Sequence, residues 1–301
     1  MSKKNIFDYI VIGAGTAGGV VAKKLTDDRN TSVLVLEPGI NSTAQLSSPN
    51  ILNAIALSND NKYAFNLISS LEPSIQRQLI TINGRVIGGS SEVNYMFAVR
   101  GSRELYNEWA ALIGSDQWSY NQVRPLFIEN ETYTGQTQSP NERGRKGPIF
   151  VRQQHIPPNG LIETLTNATA KVLDIDIVED YNTGVRDCTF FKNQFIQKEV
   201  GSTITRSSTA TGYLNESIVT QGNEFHPDEF GVGKRKLATF AKTTVNKILF
   251  KKKKGHMIAM VSSMLRTVFL IKRLPEKVLS FRQDFSPLSF CNAQGLANPV
   301  I

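Results

Sequence analysis

The chain has 301 residues, 40% hydrophobic and 20% charged, enough for one large α/β domain or two modest ones and too apolar for long disordered tracts. The formal charge of +8 is uneven: from Lys234 onward, 14 Lys/Arg stand against Glu276 and Asp284, a balance of +12, and the preceding part carries −4. A basic excess confined to one end is weak support for a nucleic-acid partner and needs a local explanation. Cys188 and Cys291 are too few for a disulfide framework and lack metal-ligand spacing. Met1-Ser2-Lys3-Lys4-Asn5 has no apolar signal segment. Met257 to Ile271, interrupted by Arg266, falls short of the ~20 residues that span a bilayer. These features predict an intracellular, reduced protein with no signal peptide and no membrane span.

Tyr9-Ile10-Val11-Ile12 is a short β-branched run, as in a buried parallel strand. It feeds Gly13-Ala14-Gly15-Thr16-Ala17-Gly18-Gly19, and Val20 to Leu25 then reads as a helix. The glycines match G-x-G-x-x-G with a strand before and a helix after. Gly13 permits the tight turn, Gly15 lets backbone approach a pyrophosphate, and Gly18 lets helix and strand pack closely. Free N–H groups at the helix start, backed by the helix dipole, stabilise phosphate charge. A second strand, Ser32 to Leu36, ends at Glu37, placed to accept hydrogen bonds from a ribose diol. The glycine pattern alone is a weak signal; an unrelated glycine turn would produce it, but would not require Glu37.

Gly84-Arg85-Val86-Ile87-Gly88-Gly89-Ser90-Ser91-Glu92-Val93-Asn94 carries the second motif. Two adjacent glycines let backbone approach a flat ring, and two hydroxyls supply adaptable hydrogen bonds. The segment resembles the glycine-serine loop of the glucose–methanol–choline (GMC) oxidoreductases, which lies along the flavin, and Tyr95 to Gly101 is similar to the family's continuation. Further segments follow in the family's order: Trp109 to Leu112, Trp118 to Tyr120, Val123 to Phe127, Gly147 to Val151, Asp180 to Asn182, Arg206 to Ser208 with Tyr213-Leu214, and Thr244 to Phe250. The last resembles the strand that returns to the FAD domain.

The resemblance implies FAD as cofactor, bound non-covalently because no histidine lies near the Gly84–Asn94 loop. It implies cofactor contacts from Gly13, Gly15, Thr16, Ala17, Gly18, Glu37, Arg85, Gly88, Gly89, Ser90, Ser91, Asn94 and Met96, with Val245 at the adenine. Three positions depart from the family's pattern: Arg143 stands where a histidine is common, Asn83 replaces an arginine, and Gln221 to Gly233 is compressed. Trp109, Trp118 and Phe127 read as packing residues.

The family's catalytic histidine, with a second histidine or asparagine, lies near the C-terminus and handles the alcohol proton during hydride transfer to flavin. Here only His155, His226 and His256 occur, none in such a motif, so no catalytic residue is assigned. A small alcohol substrate is expected only where the missing half is supplied. After Phe250 the resemblance ends at Lys251-Lys252-Lys253-Lys254. Reading the third base of each codon with the first two of the next, Met260–Met264, Val278–Asp284 and Phe290–Ala297 can encode consecutive family segments. Residues 254–301 are therefore expected to be an out-of-frame or non-native tail, which also accounts for part of the local charge.

The expected architecture is α/β: a Rossmann-like FAD-binding domain over 1–153 with a returning strand at 237–250, and a partial α+β substrate domain over 154–233, C-terminally truncated. Missing strands would leave sheet edges and apolar faces for a homo-oligomer or assembly partner to cover. The expected function is a truncated GMC-type, FAD-dependent oxidoreductase with its catalytic half missing. The alternative is a structural or assembly protein reusing the fold. The Asn- and Lys-rich sequence resembles giant-virus members, which would make the chain cytoplasmic or virion-associated.

Overall fold

The computed structural model describes residues 6–155, 160–184, 187–219, 233, 235–253, 256–263 and 268–271. Residues 6–94 form β1 (Ile6–Phe7), β2 (Tyr9–Ile12), α1 (Thr16–Leu25), β3 (Val33–Leu36), α2 (Ile51–Ser58), β4 (Ala64–Ile68) and β5 (Ile80–Gly84). Then come α3 (Arg103–Ile113), α4 (Tyr120–Asn130), β6 (Glu131–Tyr133), β7 (Ile149–Gln153), α5 (Gly160–Leu173), β8 (Asp176–Val178), β9 (Cys188–Phe190), β10 (Gln194–Phe195), β11 (Gln197–Val200) and β12 (Thr203–Arg206). The described part closes with α6 (Thr209–Gly212), β13 (Leu237–Phe240), β14 (Val245–Lys253), β15 (His256–Ser263) and β16 (Val268–Ile271).

The chain divides into two compact units, 1–94 with 208–301, and 95–207. These boundaries differ from the 153 and 233 read from the sequence. In the first unit, β2, α1 and β3 make the parallel βαβ turn, with Ile10 opposite Leu34 and Ile12 opposite Leu36. All four residues of β3 are fully buried, as a central strand covered on both faces requires. Val11, Val33, Val35, Ala22, Ile87, Leu214 and Leu237 pack on one face of this sheet; Ile10, Leu34, Leu36 and Ala238 pack on the other, with half-buried Val245 against them.

The strand that enters the parallel sheet late in the chain is β13, with Leu237 opposite Val33 and Phe240 opposite Leu36. Val245 instead opens β14, at the edge of a second sheet ordered β1-β16-β15-β14. Part of the segment expected to be out of frame thus forms strands, β15 antiparallel to β14 and β16 parallel to β1.

In the second unit, β10-β7-β6 is a three-stranded sheet over a small core of Ala98, Tyr133 and Val151. Helix α3 starts where Ser102 accepts the Leu105 N–H at 3.3 Å, and stops at Gly114 with φ +69°. Both ends follow ordinary capping chemistry.

Candidate functional site

The G-x-G-x-x-G corner forms as a cradle. Gly13 turns at φ +92°, and its N–H bonds the Leu36 carbonyl at 2.8 Å. A Cβ on Gly18 would sit 2.0 Å from the Gly13 carbonyl oxygen, so only glycine lets α1 approach the turn this closely. Gly15 is the N-cap of α1 and has no side-chain cap. Thr16 and Ala17 are exposed at that helix start. An uncapped helix start of this kind suits an anion.

Glu37 is 1% exposed. Its carboxylate accepts the Ala14 N–H (2.8 Å) through Oε2 and the Gly39 N–H (2.8 Å) through Oε1. The acid therefore fixes the phosphate loop, a task the sequence reading did not give it.

The Gly84–Asn94 loop docks onto the first. The Gly88 N–H bonds the Ala14 carbonyl at 2.8 Å, while Gly88 and Gly89 turn at φ +99° and +55°. The two serines hold the loop's own shape: Ser90 Oγ accepts the Gly84 N–H at 3.0 Å, and Ser91 Oγ donates to the Gly88 carbonyl at 2.6 Å. Arg85 stacks over Phe65, 5.0 Å from its ring centroid, toward the β4–β5 hairpin. Asn94 is exposed.

Three residues of this site were missed in the sequence. Ser208 donates to Glu92 Oε1 and caps α6 by accepting the Thr211 N–H at 3.2 Å. Thr209 Oγ1 lies 3.3 Å from the Gly88 carbonyl and 3.4 Å from that of Gly15. Glu92 is 1% exposed. The pattern Ser208-x-x-Thr211 is the only available signal, and it lacks the usual Glu or Gln of a capping box. Beside these loops opens a cleft of about 890 Å³ lined by Asn41, Ser42, Thr43, Ala210, Thr211 and Asn215, among others. The structure thus brings Gly13, Gly15, Gly18, Glu37, Gly88, Gly89 and Ser91 together in one unit. It places Val245 on the far sheet face.

Met96 belongs to the second unit, 2% exposed at φ +64°; its backbone carbonyl accepts the Ile196 N–H at 2.7 Å. Arg143 lies there too, 4% exposed. Its guanidinium sits 3.4 Å from Glu131 and from Asp180, donates to Gln194 at 2.9 Å, and stacks 3.6 Å from the Tyr133 ring centroid. Burial pulls the Arg143 pKa down, against the pull of Glu131 and Asp180. Burial, aided by the Asp180 charge, drives the Tyr133 phenol far up. Arg100 completes the group, 2.7 Å from Glu131.

The family model described as GMC oxidoreductase matches residues 7–230. The chain belongs to the GMC oxidoreductase family. Oxidases of the GMC family are FAD-dependent. The chain is 34% identical over 154 residues to an oxygen-dependent choline dehydrogenase of Staphylococcus haemolyticus, covering 51% of this chain and 27% of that protein. It is 33% identical over 218 residues to one of Chromohalobacter salexigens, covering 71% and 38%. Among solved structures it is similar to pyridoxine 4-oxidase from Mesorbium loti (TM-score 0.67, 20% identity, 88% of this chain and 47% of that one). An FAD-dependent oxidoreductase from Chaetomium thermophilum gives a TM-score of 0.68 at 24% identity, over 88% and 43%. The chain spans about a third of the curated GMC relatives it matches and under half of these structures. No described helix is long and apolar enough to cross a membrane.

Proposed function

We propose that this chain is the FAD-binding half of a GMC-type oxidoreductase, holding the dinucleotide non-covalently and unable to oxidise an alcohol by itself. The observation that carries the reading is the pair of interlocked glycine loops: Gly88 N–H on the Ala14 carbonyl, with Glu37 bonded to Ala14 and Gly39. The open start of α1 binds the pyrophosphate, Glu37 holds the adenosine ribose, and the Gly88–Ser91 backbone supports the isoalloxazine ring. FAD, when bound, supplies the hydride-accepting ring.

Turnover also needs a group that moves the substrate's hydroxyl proton. His155 is exposed, and none of the cradle side chains is a base with a free approach to an alcohol. His226 lies outside the described residues. Apolar side chains stand exposed on α5, including Leu161, Leu165 and Val172, a face suited to an oligomer or assembly partner.

Purified chain mixed with FAD tests the proposal. The expected result is a yellow, gel-filtered 1:1 complex that releases intact FAD on denaturation and does not reduce a dye with choline or simple alcohols. Failure to retain FAD rejects the cofactor assignment; turnover rejects the missing chemistry.

A further inference from the structure

Glu92 is a carboxylate at 1% exposure in a loop otherwise made of backbone, small side chains and hydroxyls. A buried carboxylate is costly to hold unless it is hydrogen-bonded, and an apolar residue of similar size would fill the space at less cost. Its two oxygens face different segments. Oε1 receives the Ser208 hydroxyl, and Oε2 lies 3.4 Å from the Ser42 hydroxyl. An ionised carboxylate only accepts, so both serines donate. That choice leaves a Ser208 lone pair for the Thr211 N–H and sets the start of α6. The next residue, Thr209, donates its backbone N–H to Ser91 Oγ at 3.1 Å and directs its own hydroxyl at the Gly15 and Gly88 carbonyls. Glu92 also lies directly beneath the loop: a Cβ on Gly88 would meet its Cγ at 2.6 Å.

We infer that Glu92 is a positioning residue of the FAD cradle: one carboxylate locks the segment after β3, the Gly88 loop and α6 into a single shape, and its charge lowers the electron affinity of the flavin on that loop. The flavin half rests on the FAD reading above; the lock does not. A fixed negative charge opposes the charge a flavin gains on reduction, so removing it raises the potential.

The test uses Glu92→Ala and the near-isosteric Glu92→Gln, with amide exchange of the FAD-free chain, FAD affinity and the bound-flavin midpoint potential. Glu92→Ala is expected to speed exchange in both 88–93 and 208–212, and to weaken FAD by about tenfold or more, the scale of losing a charged hydrogen bond. Glu92→Gln is expected to keep most of the protection and the FAD, and to shift the midpoint potential upward. Unchanged exchange in either segment of Glu92→Ala overturns the lock. A Glu92→Gln potential at or below that of wild type overturns the electrostatic role. A wild-type chain that takes up no FAD overturns the cofactor reading, and with it the flavin half, while the exchange comparison still decides the lock.

Discussion

The cradle of residues 13–18, 37 and 84–92 and the charged cluster around Arg143 solve opposite problems. The cradle is built from backbone: Gly13, Gly18, Gly88 and Gly89 shape it, and α1 starts at Gly15 without a side-chain cap. The Arg143 cluster is built from side chains that pair with one another, although Arg143 Nε and Asp180 Oδ2 meet only as ion-pair partners and make no hydrogen bond. Glu131, Asp180, Gln194 and Tyr133 surround the guanidinium, and Asn182 donates to Gln194 at 2.8 Å. On the proposed reading, one region keeps its polar groups for a ligand and the other spends them on its own fold. Substitutions should therefore separate: those in the cluster should cost stability, and those in the cradle should cost binding.

The largest effect tests the cluster. Arg143→Ala leaves Glu131 and Asp180 buried beside a cavity, and breaking a buried ion network costs about 3–5 kcal/mol. Thermal unfolding should show that loss, about 2–4 °C per kcal/mol for a chain of this size. A melting curve matching wild type would mean that the cluster holds nothing together. Gly18→Ala comes next. Its methyl group would meet the Gly13 carbonyl at 2.0 Å, so the α1–β2 turn must open, at about 1–3 kcal/mol. FAD retention should fall much further than stability does. Equal losses in both would erase the distinction between the regions. Ser102→Ala should cost only about 1 kcal/mol as a lost helix cap, with FAD affinity unchanged in titrations, since Ser102 caps a helix that carries none of the cradle.

What was legible in the sequence follows the same division. The β2-α1-β3 turn could be read because backbone geometry itself demands glycine at Gly13 and Gly18, and because Val33–Leu36 is apolar throughout. The tasks of individual side chains could not. Ser90 and Ser91 serve the loop's own backbone rather than standing free, and nothing in the string Gly-Gly-Ser-Ser shows which use prevails. Glu92 meets Ser208 116 residues away, a separation that no local pattern reports. Arg143 was visible only as a departure from the family; its meaning lies in Glu131, Asp180 and Gln194, the last 51 residues on. The late strand was read as one segment, 237–250, for a related reason. Leu237–Phe240 and Val245–Phe250 are both short and apolar enough to be strands, and only pairing with β3 tells which one enters the parallel sheet.

The smallest effect offers a probe of the second region that needs no cofactor. Cys188 sits in β9, half-buried, and burial with the nearby Asp187 charge raises its thiol above the ordinary value of 9.0. The thiolate is the reactive form, so a raised pKa means less of it at neutral pH. In a Cys291→Ser background, alkylation at pH 7.5 should run slower than in a model thiol peptide. The rate should keep climbing past pH 9 instead of levelling there. The larger cause, burial, depends on the fold. Arg143→Ala, if it loosens this unit as argued, should therefore return the rate and its pH midpoint toward the peptide's, while Gly18→Ala should leave them unchanged. A profile that moved with Gly18 and not with Arg143 would show that the two regions do not divide the labour as their chemistry suggests.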